Sequence, residues 1–294
     1  MTRKTIADFD PEVLKLFDQY VHGGITRREF LASAGRYTVG GATAASLLGA
    51  LSPSFAAPLV TPDDKRLTAR FVELPSPQGN GSVRGYLVAP ADAKGKLPLV
   101  LVVHENRGLN PHIEDIARRL ALDGFIAFAP DALHTLGGYP GDEDKARALF
   151  GKLDQAKTRV DFVTAARWLR QLPEGNGKLG VVGFCYGGAI ANHLATQLPE
   201  LAAAVPFYGS QPPAAEVAKI KAHLLIHDAG KDERILAGWP AYEKALKDAG
   251  VTYQYHVYPG VEHGFNNDTT PRYDAAAAKL AWQRTTDFLR ARLA

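Results

Sequence analysis

From Arg66 onward, short apolar runs alternate with longer amphipathic stretches. Short apolar runs bounded by Gly, Pro and polar residues are typical of strands, whereas the longer stretches repeat their apolar positions with helical period. The predicted strands are Leu67–Leu74, Val83–Val88, Leu99–Val103, Phe125–Ala129, Leu179–Val182, Ala202–Phe207, His223–Ile226 and Thr252–Tyr258. The predicted helices are Ile113–Leu122, two segments within 142–171, Gly188–Gln197, Ile235–Ala249 and Ala275–Leu293.

The order of these elements predicts the architecture. Wholly apolar strands that alternate with helices indicate a mostly parallel sheet with helices on both faces. The first two strands are separated by the turn-forming stretch 76–81, which favours an antiparallel hairpin at one edge. The fold class is therefore α/β. No linker after residue 65 is long enough to divide this region into two domains.

The N-terminal residues do not continue this alternation. Asp10-Pro11-Glu12 combines an N-cap residue, a helix-starting Pro and a first-turn acid, so a helix is expected there. The paired Arg27-Arg28 precede an uncharged segment at 37–57, which contains the small-x-small motif Ser54-Phe55-Ala56. This order resembles a twin-arginine export signal.

Two hypotheses follow for the N-terminal extension, which we place at residues 1–56, ahead of a main domain at 57–294. Export predicts a periplasmic or exported protein that meets the twin-arginine machinery. The alternative is a cytoplasmic protein whose helical arm packs on the main domain, since residues 1–31 hold five Lys/Arg against five Asp/Glu. The uncharged segment is too rich in Ala and Gly for stable membrane insertion.

Composition narrows the function classes. The net charge is +3, with both signs spread along the chain and no basic stripe, so nucleic acid is not an expected partner. The single cysteine, Cys185, cannot form an intramolecular disulfide. A lone cysteine is most often a small buried apolar residue, so only its sequence context can indicate chemistry.

That context is Gly183-Phe184-Cys185-Tyr186-Gly187, which fits the motif G-x-nucleophile-x-G with Cys as nucleophile. The motif lies between a predicted strand and a helix rich in small residues, as a nucleophile elbow requires. Glycines relieve crowding at such a turn, and the helix N-terminus favours a thiolate.

A base and an acid are expected after later strands, because the triad of this fold runs nucleophile, acid, base along the chain. Asp232 follows one predicted strand, and Asp228 is a competing acid nearer the strand end, where a structural role is favoured. His263 lies in a Gly- and Pro-containing loop before the last helix, where the base is expected.

The loop after the third predicted strand, His104-Glu105-Asn106-Arg107-Gly108, is expected to help stabilise an oxyanion. The backbone N–H groups of Asn106 and Tyr186 are the predicted donors. Glu105 is unusual there, because a carboxylate would repel a thiolate. A salt bridge between Glu105 and Arg107 is the alternative reading.

These motifs together, with Gly-Lys-Asp before Glu233 and Glu-His-Gly-Phe ending at Phe265, resemble the dienelactone hydrolase family over residues 67–293. The resemblance implies an α/β-hydrolase fold and a triad of Cys185, Asp232 and His263. It also implies that Glu105 keeps the resting thiol neutral and takes its proton when substrate enters.

One feature departs from the family. Members that cleave dienelactone hold the substrate carboxylate with an Arg, but this chain has Glu143 near that position. Lys145 or Arg147 is expected to substitute, although Lys and Arg do not bind a carboxylate equivalently. Tyr208 lies in a segment that resembles the family's aromatic-Tyr-Gly motif and is a further candidate for substrate binding.

The predicted function is hydrolysis of a small ester or lactone through an acyl-thioester intermediate. No organic cofactor is implied, and no metal is expected because Cys and His are not clustered at ligand spacing in the sequence. A thiol redox or peroxide-responsive protein on the same fold would need Cys185 but not Asp232 or His263. A non-catalytic binding protein is the third possibility.

Overall fold

Eight strands form one sheet in the part of the chain that the structure, a computed structural model, describes: residues 4–38, 43–55 and 57–294. They are β1 Leu67–Ser76, β2 Gly81–Pro90, β3 Leu97–Val103, β4 Ile126–Pro130, β5 Gly175–Phe184, β6 Ala203–Phe207, β7 His223–Ala229 and β8 Tyr253–Tyr258. The strand order is β1-β2-β4-β3-β5-β6-β7-β8. Strands β3 to β8 pair in parallel, whereas β1 pairs with β2 and β2 with β4 antiparallel. The predicted α/β class and edge hairpin are confirmed.

Helices cover both faces of this sheet. The helices are α1 Pro11–Val21, α2 Arg27–Ala34, α3 Ala44–Leu51, α4 Pro111–Leu122, α5 Glu143–Phe150, α6 Gln155–Arg170, α7 Tyr186–Gln197, α8 Ala214–Val217, α9 Glu233–Leu236, α10 Trp239–Asp248 and α11 Ala275–Leu293. Helices α4 and α11 pack on one face, and α6, α7 and α10 on the other.

Strand β3 shows why the central strands of the sheet are continuous apolar runs in the sequence. Val100 and Val102 face the first helical layer, and Leu99, Leu101 and Val103 face the second. All five side chains are fully buried. Because consecutive side chains point to opposite faces, a strand covered on both sides has no polar positions. Its carboxyl end, and that of β5 beside it, carries the site described below.

The predicted helix Ile235–Ala249 is two helices instead. Gly238 separates α9 from α10, and Pro240 lies in the first turn of α10. Proline has no backbone N–H to donate, so it is tolerated in a first turn but not in a helix interior. The prediction was wrong at this point because Pro240 was taken as an interior residue.

The N-terminal helices form a small apolar cluster of their own that packs on the main domain. Its buried residues are Phe9, Val13, Phe17, Tyr20, Phe30, Ala34, Leu48 and Leu51. The cluster is tied to the domain by an ion pair between Arg27 Nε and Asp144 Oδ2 at 2.9 Å. The backbone N–H of Ser54 also donates to the carbonyl of Thr269 at 2.8 Å. We call residues 4–38 and 43–55 the N-terminal arm.

The paired arginines of the predicted export signal lie in the first turn of α2, which Thr26 and Glu29 cap reciprocally. Residues 39–42 of the uncharged segment and Ala56 of the cleavage motif lie outside the described residues. Export, cleavage and the boundary at residue 56 therefore stay predictions. Among the described residues, no helix is both long and apolar enough to span a membrane.

Candidate active site

Cys185 lies at a sharp turn between β5 and α7. Its φ of 56° is positive, which is rare for a non-glycine residue and stores strain. The turn is tight because a Cβ on Gly183 would lie 1.9 Å from the carbonyl oxygen of Gly187. A Cβ on Gly187 would lie 2.2 Å from the carbonyl oxygen of Val103. Both glycines are therefore needed for the turn that presents the sulfur at the carboxyl edge of the sheet.

An imidazole and a carboxylate from the next strands meet beside this turn. Asp232 caps α9 after β7, and His263 follows β8. Nδ1 of His263 and Oδ2 of Asp232 are 2.5 Å apart, and both side chains are buried. Burial disfavours the charged ring, but the Cys185 sulfur and the Asp232 hydrogen bond outweigh it and raise the pKa of His263. The same hydrogen bond lowers the pKa of Asp232 against the effect of its burial.

The competing acid, Asp228, does not hold the imidazole. It lies at the end of β7 with 1% of its surface exposed. Burial raises the pKa of Asp228 to about 7, and neither of its carboxylate oxygens has a hydrogen-bond partner among the described residues. The folded protein therefore retains a proton on Asp228 well above the pH at which an exposed Asp ionises. Asp228 is therefore a buried carboxyl group, and Asp232 is the acid that contacts the imidazole.

The raised pKa of Asp228 predicts a loss of stability as the pH rises. Below pH 4 the carboxyl is protonated in both states, so it carries no penalty. Between about pH 4 and pH 7 only the unfolded chain releases the proton, which favours unfolding by up to about 4 kcal/mol. Asp228→Asn cannot ionise. We expect wild type to lose about 2–4 kcal/mol relative to this variant between pH 4 and pH 8, measured by urea unfolding. If the unfolding free energies of wild type and Asp228→Asn change with pH in parallel, the raised pKa of Asp228 is contradicted.

A second imidazole reaches Cys185 from the N-terminal arm. His22, the C-cap residue directly after α1, has Nε2 at 3.6 Å from Sγ of Cys185. The same nitrogen lies 3.3 Å from Nε2 of His263. Nδ1 of His22 contacts the carbonyl oxygen of Asp18 at 2.8 Å and its carboxylate at 3.2 Å. His22 thus has a carboxylate of its own, as His263 has Asp232.

These groups favour a charged sulfur. Burial disfavours the thiolate, but the charge on His263 and the hydrogen bond with His22 outweigh it and lower the pKa of Cys185 to about 5. Burial also disfavours a charged His22, but the hydrogen bonds with Asp18 and Cys185 prevail and raise the pKa of His22 to about 10. The directions of these shifts favour a thiolate beside imidazolium.

Glu105 contacts Asn267 in the structure, and the role that the family resemblance implies for it towards the sulfur stays a prediction. Its Oε2 accepts a hydrogen bond from Nδ2 of Asn267 at 2.9 Å, and the sulfur contacts His22 instead. The alternative salt bridge between Glu105 and Arg107 is wrong, because Arg107 Nε pairs with Glu143 Oε2 at 3.5 Å. Glu105 nevertheless lines the same cavity as Cys185 and His263.

The two predicted oxyanion donors are free. Among the described residues, neither the backbone N–H of Asn106 nor that of Tyr186 has a hydrogen-bond partner. The Asn106 side chain is occupied, since its Nδ2 donates to the carbonyl of Val21 at 2.7 Å. Free backbone N–H groups beside a nucleophile are the arrangement that an oxyanion needs.

The end of α1 divides the space around the sulfur into two cavities. One, of about 290 Å³, contains Glu105, Arg107 and Glu143, and the other, of about 420 Å³, contains Arg147 and Tyr208. Val21, His22, Asn106 and Cys185 line both cavities.

The predicted substrate-binding residues differ in their positions. Arg147 stacks on the Tyr20 ring at 4.3 Å, and the Tyr208 hydroxyl is buried without a hydrogen-bond partner among the described residues. Lys145 lies in the first turn of α5, is exposed and lines neither cavity, so its contact with substrate stays a prediction that these positions do not favour.

Sequence reasoning missed three residues of this site. His22 is 163 positions from Cys185, and Arg107 and Asn267 were not assigned to the cavity. The absence of a metal-ligand cluster was inferred from spacing along the chain. The fold instead brings one ligand atom each of His22, Cys185 and His263 within 4.8 Å of one another. Only the packing of the arm creates that cluster, and no local motif signals it.

Known proteins share both the sequence and the fold. The sequence profile of the dienelactone hydrolase family matches residues 83–293. The chain belongs to the dienelactone hydrolase family. Over 256 residues it is 33% identical to "Putative carboxymethylenebutenolidase" of Escherichia coli (strain K12), covering 82% of this chain and 93% of the relative. This family member is accordingly a hydrolase, as the sequence predicted.

Further comparisons extend the similarity. A solved structure of "Putative Dienelactone Hydrolase" from Klebsiella pneumoniae subsp. pneumoniae MGH 78578 has a TM-score of 0.67 and 30% identity, covering 76% of this chain and 99% of that one. A stretch of 113 residues is 54% identical to "Putative hydrolase fragment YghX" of Escherichia coli (strain K12), or 38% of this chain and 97% of the relative. A second profile, described as YqhI-like, matches residues 1–39 of this dienelactone hydrolase family member.

Proposed function

We propose that this protein hydrolyses a carboxylic ester or lactone through a Cys185–His263–Asp232 triad. The observation that carries the proposal is the 2.5 Å contact between His263 Nδ1 and Asp232 Oδ2 beside a cysteine at a strained elbow. In this arrangement Asp232 fixes the imidazole tautomer, so that Nε2 faces the sulfur.

The reaction follows from these positions. The Cys185 thiolate attacks the carbonyl carbon, and the backbone N–H groups of Asn106 and Tyr186 stabilise the oxyanion. The His263 imidazolium donates its proton to the leaving alkoxide, which leaves an acyl thioester on Cys185. Neutral His263 then accepts a proton from water as the water attacks the thioester. The C–S bond breaks, the carboxylic acid product leaves, and the Cys185 thiolate and His263 imidazolium are regenerated.

A direct test of the proposed nucleophile is chemical modification of the single cysteine. Iodoacetamide treatment can modify only Cys185, since the chain has no other thiol. We expect it to abolish hydrolysis of p-nitrophenyl acetate with one carboxamidomethyl group per chain by mass spectrometry. Full activity in the stoichiometrically alkylated protein would contradict the proposed nucleophile.

The smaller cavity favours neutral over anionic substrates. Four carboxylates line it, those of Glu105, Asp142, Glu143 and Asp144, against the guanidinium groups of Arg107 and Arg272. Both guanidinium groups already face a carboxylate, Arg107 that of Glu143 at 3.5 Å and Arg272 that of Asp18 at 3.6 Å. The His22 and His263 imidazoles, which also line this cavity, have the Cys185 sulfur and their own carboxylates as partners, so little unpaired positive charge remains for a substrate carboxylate.

We therefore expect a neutral aryl ester to have a kcat/KM about tenfold higher than a matched ester with a terminal carboxylate, because about 1.4 kcal/mol of repulsion gives that factor. Glu143→Gln should lower the ratio of these two kcat/KM values, because it removes the carboxylate that pairs with Arg107. Asp123→Asn, far from the cavities, is the matched control. Preference for the carboxylate ester in wild type would contradict this charge argument.

A further inference from the structure

Three metal-binding side chains converge at the mouth of the site. One ligand atom each of His22, Cys185 and His263 lies within 4.8 Å of the other two. Two of the residues belong to the main domain, and the third arrives on the N-terminal arm. Proton transfer to Cys185 needs one imidazole, so the second is not explained by the hydrolytic reaction.

Both imidazoles are held so that Nε2 faces the shared point. Nδ1 of His263 contacts Asp232 Oδ2 at 2.5 Å, and Nδ1 of His22 contacts the carbonyl oxygen of Asp18 at 2.8 Å. A proton on each Nδ1 leaves the Nε2 lone pairs directed towards each other and the sulfur. Histidine ligands of metals are commonly oriented by such an acceptor on the opposite ring nitrogen.

Two of the three separations match a tetrahedral cation site, and all three ligand atoms lie within 4.8 Å of one another. Zinc bonds of about 2.3 Å to sulfur and 2.0–2.1 Å to nitrogen give S···N edges of about 3.5 Å and N···N edges of about 3.3–3.4 Å. The distance from Cys185 Sγ to His22 Nε2 is 3.6 Å, and that between the two Nε2 atoms is 3.3 Å. One thiolate and two imidazoles form a ligand set suited to Zn²⁺.

We propose that His22, Cys185 and His263 bind a thiophilic divalent cation of the zinc class, with the fourth position open to the cavity. Binding releases to solvent any proton held on Sγ or on either Nε2. The cation then occupies the sulfur lone pair and the His263 lone pair together. Its effect on turnover rests on the proposed function: the bound form cannot attack an ester, and removal of the cation restores the nucleophile and base.

One neighbouring charge opposes the cation. The Arg234 guanidinium lies 3.3 Å from Nε2 of His22 and 3.5 Å from Nδ1 of His263. Arg234 is exposed, so its side chain can withdraw to solvent when a cation binds. Replacement of this arginine by glutamine removes the competing charge without removing a ligand.

The test uses full-length protein freed of metal with a chelator and kept reduced. We expect one equivalent of Co²⁺ to bind with thiolate-to-cobalt charge-transfer absorption and tetrahedral visible bands, and Zn²⁺ to displace it. His22→Ala should weaken Zn²⁺ binding by about 10²-fold or more, since loss of even an outer partner costs about 10–100-fold. Arg234→Gln should strengthen it. His134→Ala, a surface histidine paired with Glu73, is the control and should bind as wild type does.

A second readout does not depend on the hydrolytic reaction. One equivalent of Zn²⁺ should slow iodoacetamide labelling of Cys185 in wild type, but not in His22→Ala at the same free zinc. A cobalt spectrum without thiolate charge transfer, or equal zinc affinity in folded His22→Ala and wild type, would overturn the site. If His22→Ala does not fold, the cobalt spectrum of wild type and the zinc affinity of Arg234→Gln still test the proposed site.

Assays of ester hydrolysis with and without zinc distinguish failure of the metal site from failure of the proposed function. Zinc inhibition of p-nitrophenyl acetate hydrolysis, with the same half-saturation as cobalt displacement, supports both. Metal binding in a chain whose metal-free form lacks esterase activity overturns the proposed function and leaves the metal site intact. An active enzyme that zinc neither binds nor inhibits overturns the metal site alone.

Discussion

Cys185→Ala is expected to lower kcat/KM for short neutral esters by about 10³-fold or more, the scale of loss when a triad nucleophile is removed. The reason is positional, because Cys185 is the residue at the elbow between β5 and α7. Backbone N–H groups and an imidazole can still polarise the ester, but no covalent intermediate forms. Steady-state assays with a chelator present, together with mass spectrometry for the acyl-enzyme, measure this loss.

Two controls make the result specific. Cys185→Ser keeps a nucleophilic atom at the same strained turn, so it separates loss of chemistry from damage to the elbow. The thermal midpoint of each variant reports whether the turn, with its φ of 56°, still forms. Activity above a tenth of wild type in folded Cys185→Ala would place the nucleophile elsewhere.

Much of the main domain could be predicted from local pattern. The apolar runs ending at Val103 and Val182 became central strands because a strand buried on both faces needs apolar residues at every position. The elbow was predictable for a related reason. A turn in which Gly183 and Gly187 leave no room for a Cβ requires glycine, and such a requirement is visible in sequence.

The choice between acids could be predicted in part. Asp228 and Asp232 follow the same strand, and the sequence alone favoured Asp232 because Asp228 lies at the strand end. In the structure Asp228 is buried at the end of β7, whereas Asp232 begins α9 and turns towards His263. A shift of four positions along the chain therefore separates a carboxyl buried at the strand end from one that contacts the imidazole.

The arm could not be predicted from sequence in the same way. An uncharged, Ala-rich segment after paired arginines fits an export signal as well as short packed helices, because both need small apolar residues. What the sequence does not reveal is the long-range contact that the arm makes. Asp18 lies beside Arg272, and the Val21 carbonyl accepts from Asn106. Such contacts depend on the folded surface of the main domain, which no local pattern encodes.

This arm leaves two imidazoles beside one sulfur. The general base must therefore be assigned by comparing how firmly each imidazole is held by its carboxylate partner. His263 belongs to the main domain, and its partner Asp232 is almost wholly buried. His22 ends a surface helix, and its partner Asp18 has a side chain that is 36% exposed. The end of that helix also divides the cavity that a substrate must enter. The rigid, buried pair is better placed to stay aligned while substrate binds.

His263→Ala is therefore expected to lower kcat/KM by about 10³-fold, as much as loss of Cys185, whereas His22→Ala should stay within about tenfold of wild type in the presence of chelator. Asp232→Ala should cost less than His263→Ala, because the imidazole remains but loses its fixed tautomer. A double variant lacking Cys185 and His263 should be no slower than either single variant, since the members of a triad act as a unit. The opposite ranking, with His22→Ala inactive and His263→Ala above a tenth of wild type, would assign the base to His22 and its acid to Asp18. That outcome would make the N-terminal arm part of the catalytic machinery, because the main domain would then supply the nucleophile without its proton acceptor.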